Sequence, residues 1–376
     1  MRFLERERAV LDLFAPNLDK ELAELPLPVL ESRESPAVAM FRDSAGPGLL
    51  VPTEYGGLGA SALDAVRFQR AIGARSPSLA VGTTMHHFSI ASIVSLGEES
   101  TGFEWLVLEA VARDHRLVAS GFAEGRPGQG TLSPSLRSVR TDNGYLVSGT
   151  KKPCSLSRSM DILTASIAIE GDDGEPVMGV ALIPAESPGI SVTPFWNSWV
   201  LAGAESEAVV LDDVFVHEDL IVKTSVGFGH QLDRITLLSF LWFEAVITAG
   251  YLGAASALAE RVFASDRVLN GEKMRLLVEI ESAAQLLEGM ARAQSELEPD
   301  PEAFARCLLG RYGAQDAIIR ATAMAVEMLG GMAFIGGPDV AYLAACVHAA
   351  GLHPPNRLSV ADTFADYVRG GQIQVS

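Results

Sequence analysis

Between residues 117 and 216 the chain is dominated by short apolar runs and turn residues, and helical periodicity stops at both edges of that island. Residues 117–122, 145–149, 162–169, 177–183, 190–193, 208–211 and 214–216 each read as a strand. Asp142-Asn143-Gly144 and Gly171-Asp172-Asp173-Gly174 supply turns between them. No helix-length pattern intervenes, so βαβ crossovers are excluded and an antiparallel barrel or sandwich is expected. Outside the island, apolar residues recur at helical spacing over 37–41, 62–72, 88–96 and 103–111, and again over 237–263, 274–297 and 302–329. Ser61 is placed to cap the 62–72 helix, and Asp300-Pro301-Glu302 marks the start of the last one. The fold class expected is α+β, with an N-terminal helical domain at 1–116, a central antiparallel β domain at 117–222 and a C-terminal helical bundle at 223–376. A doubly wound nucleotide fold is excluded, since no Gly-x-Gly-x-x-Gly joins a strand to a helix.

At 48% hydrophobic and 20% charged residues, the 376-residue chain reads as ordered and large enough for a substantial core. The formal charge of −18 argues against a nucleic-acid partner or an anionic membrane surface. Three cysteines do not make a disulfide framework. The N-terminus, Met1-Arg2-Phe3-Leu4-Glu5-Arg6-Glu7-Arg8, reads as a charged helix start without a secretory signal. The apolar stretch 237–258 contains Glu244, Thr248, Gly250 and Gly253 and reads as a buried helix, not a membrane span. A soluble cytoplasmic enzyme is the expectation.

Several local motifs fit that layout. Val51-Pro52-Thr53-Glu54-Tyr55-Gly56-Gly57-Leu58-Gly59 precedes the 62–72 helix, and Leu211-Asp212-Asp213-Val214-Phe215-Val216 closes the island. Ser148-Gly149-Thr150-Lys151-Lys152-Pro153-Cys154-Ser155 lies inside it, and Glu327-Met328-Leu329-Gly330-Gly331 near the end. Together these resemble the acyl-CoA dehydrogenase family of flavoproteins over nearly the whole chain. The resemblance implies bound FAD, an acyl thioester substrate carried by coenzyme A or an acyl carrier protein, and an electron-transfer partner or oxygen. It also implies a homodimer or homotetramer, to which the Ala- and Gly-rich C-terminal helices are suited.

By that resemblance, Phe122, Ala123 and Glu124 fall on the family's first flavin-covering segment, with Ala123 in place of its threonine. Ser155 falls on the second segment's threonine and keeps a hydroxyl that can donate to the flavin N5 edge; its other reading is a loop hydroxyl bonded to local backbone. Cys154 beside it reads as a buried strand-end thiol, and Pro153 replaces an aromatic residue. Glu327, Gly330 and Gly331 resemble the turn that approaches the FAD adenine from a neighbouring subunit, although a glycine pair also ends helices. Arg261 or Arg267 stands where the family's pyrophosphate-binding arginine is blurred; a solvent salt bridge is the alternative for each.

The family's reaction needs a carboxylate to take the proton beside the thioester carbonyl. The C-terminal position where its best-known branch keeps that glutamate matches Asn356-Arg357-Leu358-Ser359, which has none. Glu244, within Trp242-Phe243-Glu244-Ala245-Val246, lies near the position used by other branches. It reads either as a base of raised pKa or as a helix-packing salt bridge. His353 beside Pro354 is the fallback acid–base residue. His86-His87, in what reads as a helix start, suits a core or cap role, and no metal-ligand set is visible. The leading expectation is an FAD-dependent acyl-thioester dehydrogenase, with a specialised biosynthetic role as an option beside general fatty-acid degradation. Its alternatives are a flavin monooxygenase or oxidase on the same scaffold and a non-catalytic partner subunit.

Overall fold

The computed structural model describes residues 2–99, 102–125, 132–171, 174–227, 232–296, 298–371 and 373. Residues 126–130 of the first flavin-segment motif, the tip of the Gly171–Gly174 turn and most of the tail after Gly371 lie outside the described residues. The N-terminal region contains α1 (Glu5–Phe14), α2 (Leu18–Ala23), α3 (Leu27–Leu30), α4 (Ala37–Asp43), α5 (Ala62–Arg75), α6 (Pro77–Glu99) and α7 (Glu104–Asp114). The strands follow: β1 (Val118–Gly121), β2 (Arg137–Thr141), β3 (Gly144–Cys154), β4 (Ile162–Glu170), β5 (Pro176–Pro184), β6 (Ile190–Thr193), β7 (Glu207–His217) and β8 (Ile221–Gly227). The chain then returns to helix with α8 (Arg234–Ala264), α9 (Asn270–Glu296), α10 (Pro301–Ile335), α11 (Pro338–Val347) and α12 (Ala361–Tyr367).

Local chemistry sets the helix starts. Ser61 Oγ accepts from Asp64 N–H while the Asp64 carboxylate accepts from Ser61 N–H, a reciprocal cap for α5. Asp300 caps α10 ahead of Pro301, as the sequence predicts. His86 and His87 lie in the middle of α6, not at a helix start. Thr83 and Thr84, which hide the apolar period there, return their hydroxyls to Leu79 O and Ala80 O.

The strands form two four-stranded sheets, β1-β4-β5-β8 and β2-β3-β7-β6. Pairing is antiparallel except between β1 and β4, which run parallel, so the sheet is not wholly antiparallel as expected. Segments 208–211 and 214–216 belong to one strand, β7. Asp213 takes a φ of 48° in its middle, beside a register shift against β3. Ser148 Oγ donates to Asp213 Oδ1 at 2.6 Å and accepts from Asp213 N–H at 3.1 Å, which stabilises the bulge.

Helix α8 runs through the centre of the bundle and is buried on all sides from Phe243 to Ala259. It approaches α5 backbone to backbone. A Cβ on Gly73 would lie 2.1 Å from Gly250 O, and one on Gly253 2.4 Å from Arg70 O, so this crossing admits no side chain at either glycine. By length and composition α6, α8 and α10 could each cross a membrane, but the apolar windows of α6 and α8 are 78% buried within the protein. That of α10 is 22% buried, and Leu309, Met332, Phe334 and Ile335 on this helix are exposed. α10 breaks at Gly330, whose φ is 77°.

His86 and His87 are fully buried in α6. His86 Nε2–H donates to Pro47 O at 2.8 Å and its Nδ1 accepts from Val118 N–H at 3.1 Å, which fixes a neutral ring that ties α6 to β1. His87 is packed edge-on against Phe41 and Phe68, and neither of its nitrogens has a hydrogen-bond partner among the described residues. Burial holds His86 down at about 4 and His87 well below its usual range. The unfolded chain therefore takes up protons near pH 6.5 that the fold refuses, and the stability present above that pH is lost as the pH falls toward the folded values. His87→Leu is expected to gain about 1–3 kcal/mol at pH 7 by removing an unpaired buried polar group. The gain should widen at pH 5. Thermal unfolding of both proteins at the two pH values is the check, and a gap that does not widen contradicts the burial argument.

Candidate active site

A deep cleft opens where α6, the first sheet and the N-terminal half of α8 meet. It encloses about 970 Å³ of space between atoms, counting its open mouth. Met85 and Phe88 of α6 form one side, and Ile235, Phe240 and Phe243 of α8 face them. Ser120, Phe122, Ala123 and Met178 come from the strand side, and Pro153 and Ser155 from the end of β3. His353 and Pro354 close the cleft from the C-terminal turn.

The structure thus brings together Phe122, Ala123, Ser155 and His353 from separate parts of the sequence. Ser155 Oγ lies 2.9 Å from Ser206 Oγ, and either hydroxyl can donate in that contact. When Ser206 donates, the Ser155 hydroxyl proton is available to a guest in the cleft. A mostly apolar lining with a few hydroxyls and one imidazole suits a flat heteroaromatic ring, so the lining fits a flavin nucleus.

His353 Nε2 lies 2.7 Å from the Tyr251 hydroxyl, and its ring packs edge-on against Phe243. Burial pushes the Tyr251 hydroxyl well above its usual range and so keeps it protonated. Among the described residues the acceptor for that hydroxyl is His353 Nε2, which places the imidazole proton on Nδ1. Burial, aided by the Arg311 charge, holds His353 down at about 3, so the ring is neutral at physiological pH.

Glu124 stands behind Ala123 rather than in the cleft wall. Its Oε1 accepts from Lys151 Nζ at 2.8 Å and its carboxylate takes two further hydrogen bonds from Ser135. Lys151 is fully buried and also donates to Ser166 Oγ at 3.0 Å. Burial pushes the Glu124 carboxyl up, but the Lys151 and Ser135 donors outweigh it and hold it below the usual carboxylate range. Lys152 N–H donates to Ala123 O at 2.8 Å, so segments 122–124 and 151–155 are clamped together through backbone and charge.

Other candidates lie elsewhere. Glu244 is fully buried and does not line the cleft; its Oε2 is 3.0 Å from Arg311 Nε, which is the packing salt bridge, not a base facing substrate. Burial, opposed by Arg311, raises its pKa to about 7. Arg261 pairs with Asp339 at 3.0 Å, Arg267 is exposed in the turn after α8, and neither lines the cleft. Glu327 and Gly331 are exposed, and a Cβ at Gly330 or Gly331 would meet nothing of this chain within 4 Å. Cys154 is buried with its thiol pushed up to about 12, and burial likewise raises Cys307 and Cys346. Among the described residues no group of three His, Cys, Asp or Glu side chains is arranged to hold a metal. Sequence reasoning missed Tyr251 and Arg311. The available signal was Arg311 in the apolar stretch Leu308-Leu309-Gly310-Arg311-Tyr312, a lone charge complementary to Glu244 in α8.

Helices, a small β region and a second set of helices around a cleft of this lining define an acyl-CoA dehydrogenase-type flavoprotein scaffold. The chain belongs to the acyl-CoA dehydrogenase family. Residues 5–108 match its N-terminal domain. Across 378 aligned residues the chain is 44% identical to isobutylamine N-hydroxylase of Streptomyces viridifaciens, covering 100% of both proteins. The structure of KijD3 in complex with FMN and dTDP-3-amino-2,3,6-trideoxy-4-keto-3-methyl-D-glucose has a TM-score of 0.81 at 17% identity, over 97% of this chain and 94% of that one. The glutaryl-coenzyme A dehydrogenase complex with glutaryl-CoA has a TM-score of 0.80 at 18% identity, over 97% and 95%. The two structures share the fold with this chain.

Replacing Lys151 by Met strands the Glu124 carboxylate without its cation. Breaking a buried pair from one side costs about 3–5 kcal/mol, whereas removing both charges is far milder. Lys151→Met should therefore lower the urea midpoint strongly, and Lys151→Met with Glu124→Gln should recover most of the loss. Equal midpoints for the two variants would show that the pair does not hold these segments.

Proposed function

We propose that this chain is a reduced-flavin-dependent monooxygenase that hydroxylates the nitrogen of a small primary aliphatic amine. The observation that carries this reading is the cleft lining. It contains no Asp or Glu among the described residues, and the one carboxylate near the alternative base position, Glu244, is spent on Arg311. Removal of an α-proton from a thioester then lacks its base. The 44% identity to an isobutylamine N-hydroxylase supports the same direction and suggests a small branched substrate.

When bound, reduced flavin supplies the two electrons of a balance in which amine and O₂ give an N-alkylhydroxylamine and water. The residues contribute placement and protons. Ser155 Oγ offers a hydroxyl proton, and the neutral His353 ring, which also lines the cleft, carries its proton on Nδ1. Met85, Phe88, Phe240 and Phe243 surround an alkyl group and keep water out. With no carboxylate to pair an ammonium, the amine enters as its free base, whose lone pair is the nucleophile. The lining would hold the ring system that FAD and FMN share; FAD remains the expected form, and Gly330-Gly331 of a neighbouring subunit would help hold its adenine half.

Photoreduced flavin, O₂, isobutylamine and the protein should yield a product heavier by one oxygen atom, identified by mass spectrometry. Anaerobic addition of acyl-CoA or acyl-carrier substrates should leave oxidised flavin unbleached. Bleaching with formation of an enoyl thioester would overturn this reading in favour of the dehydrogenase.

The exposed apolar length of α10 supports assembly with further copies of the chain. Light scattering should give a mass of two or four times 39.9 kDa. A monomer that binds FAD stoichiometrically contradicts a shared site.

A further inference from the structure

The turn that carries His353 into the cleft has little side-chain anchorage of its own, since it runs Ala349-Ala350-Gly351-Leu352-His353-Pro354-Pro355. One guanidinium holds it. Arg311, 2% exposed in α10, donates from Nη1 to Pro355 O at 2.7 Å and from Nη2 to Ala350 O and His353 O at 3.0 Å each. The Tyr312 hydroxyl adds a second donor to Pro355 O at 2.8 Å. On the far side Arg311 Nε faces Glu244 Oε2 at 3.0 Å, and Glu244 is fully buried in α8.

A buried Glu–Arg pair is seldom more stabilising than apolar residues of the same volume. What it offers that leucines cannot is a rigid planar fork of donors, here spread over three carbonyls of one turn. Glu244 supplies the counter-charge that lets such a fork sit inside an apolar bundle. We propose that Glu244 and Arg311 form a positioning latch that fixes the 350–355 turn and thereby presents His353 to the cleft. Glu244 then serves the reaction through two intermediaries and touches no substrate. The catalytic part of this inference rests on the monooxygenase reading of the cleft; the structural part does not.

The groups facing His353 are Tyr251 and Phe243 from α8 and Arg311 from α10, with Glu244 behind Arg311. In the latched turn the ring stays neutral from pH 5 to 8. Once released to solvent it titrates near 6.5. Arg311→Lys keeps the charge but cannot reach three carbonyls. In full-length, flavin-loaded protein with isotope-labelled histidine, the His353 imidazole resonance, assigned by its loss in His353→Gln, should be pH-silent in the parent and should titrate in Arg311→Lys. In steady-state amine oxygenation, Arg311→Lys should lower kcat/KM roughly 10- to 100-fold. It should lower it no further in a His353→Gln background, because residues acting through one another are not additive. Should Arg311→Lys fail to fold, Glu244→Gln with Arg311→Met removes both charges together and should show the same released resonance. A silent His353 in the folded variants, or additive kinetic losses, overturns the latch. If the parent oxygenates no amine, the functional reading falls alone and the resonance still decides the latch.

Discussion

The approach of α5 to α8 at Gly73, Gly250 and Gly253 is the contact on which the rest of this structure depends. Any side chain there would push α8 outward, and α8 supplies the apolar floor of the cleft, the Tyr251 hydroxyl and the Glu244 carboxylate. Few helices carry so many duties. α8 can do so because it is wrapped by other helices along most of its length, which also makes the local dielectric low and every charge on it consequential.

Neighbouring residues on that helix show how the site is divided. Phe243 lines the cleft and touches the His353 ring, while Glu244, about 100° further round the helix, points into the bundle toward Arg311. The cleft lining is therefore made of apolar walls and neutral polar groups, and the Glu244 carboxylate lies outside it. Burial is the larger influence on both Glu244 and His353, raising the one and lowering the other, and Arg311 between them lowers both.

Much of this was readable from the residues. Ser61, Asp300 and the apolar core-strand runs at 162–169 and 177–183 carry local signals that tertiary context did not override. Ser155, singled out by its motif, lines the cleft. What stayed hidden depends on direction and pairing. α8 is apolar on every face in its middle, so no stripe indicates where Glu244 points. The parallel match of β1 to β4 joins segments whose sequences carry no mark of their partner. Asp212-Asp213 looks like a turn because a strand rarely spends a residue at positive φ, and only the Ser148 hydroxyl opposite makes the bulge favourable. Arg311 matters through backbone carbonyls, which no side-chain pattern encodes.

The three buried thiols set how such a protein ages. Peroxide attacks thiolates, and burial keeps Cys154, Cys307 and Cys346 protonated and out of reach. Oxidative wear is thereby diverted to methionine. Met332 and Met274 are exposed and can absorb oxygen on the surface, while Met85 and Met178 stand in the cleft wall itself. Sulfoxide formation at that wall would turn an apolar surface polar, so the protein's working lifetime is written in its thioethers and not in its cysteines.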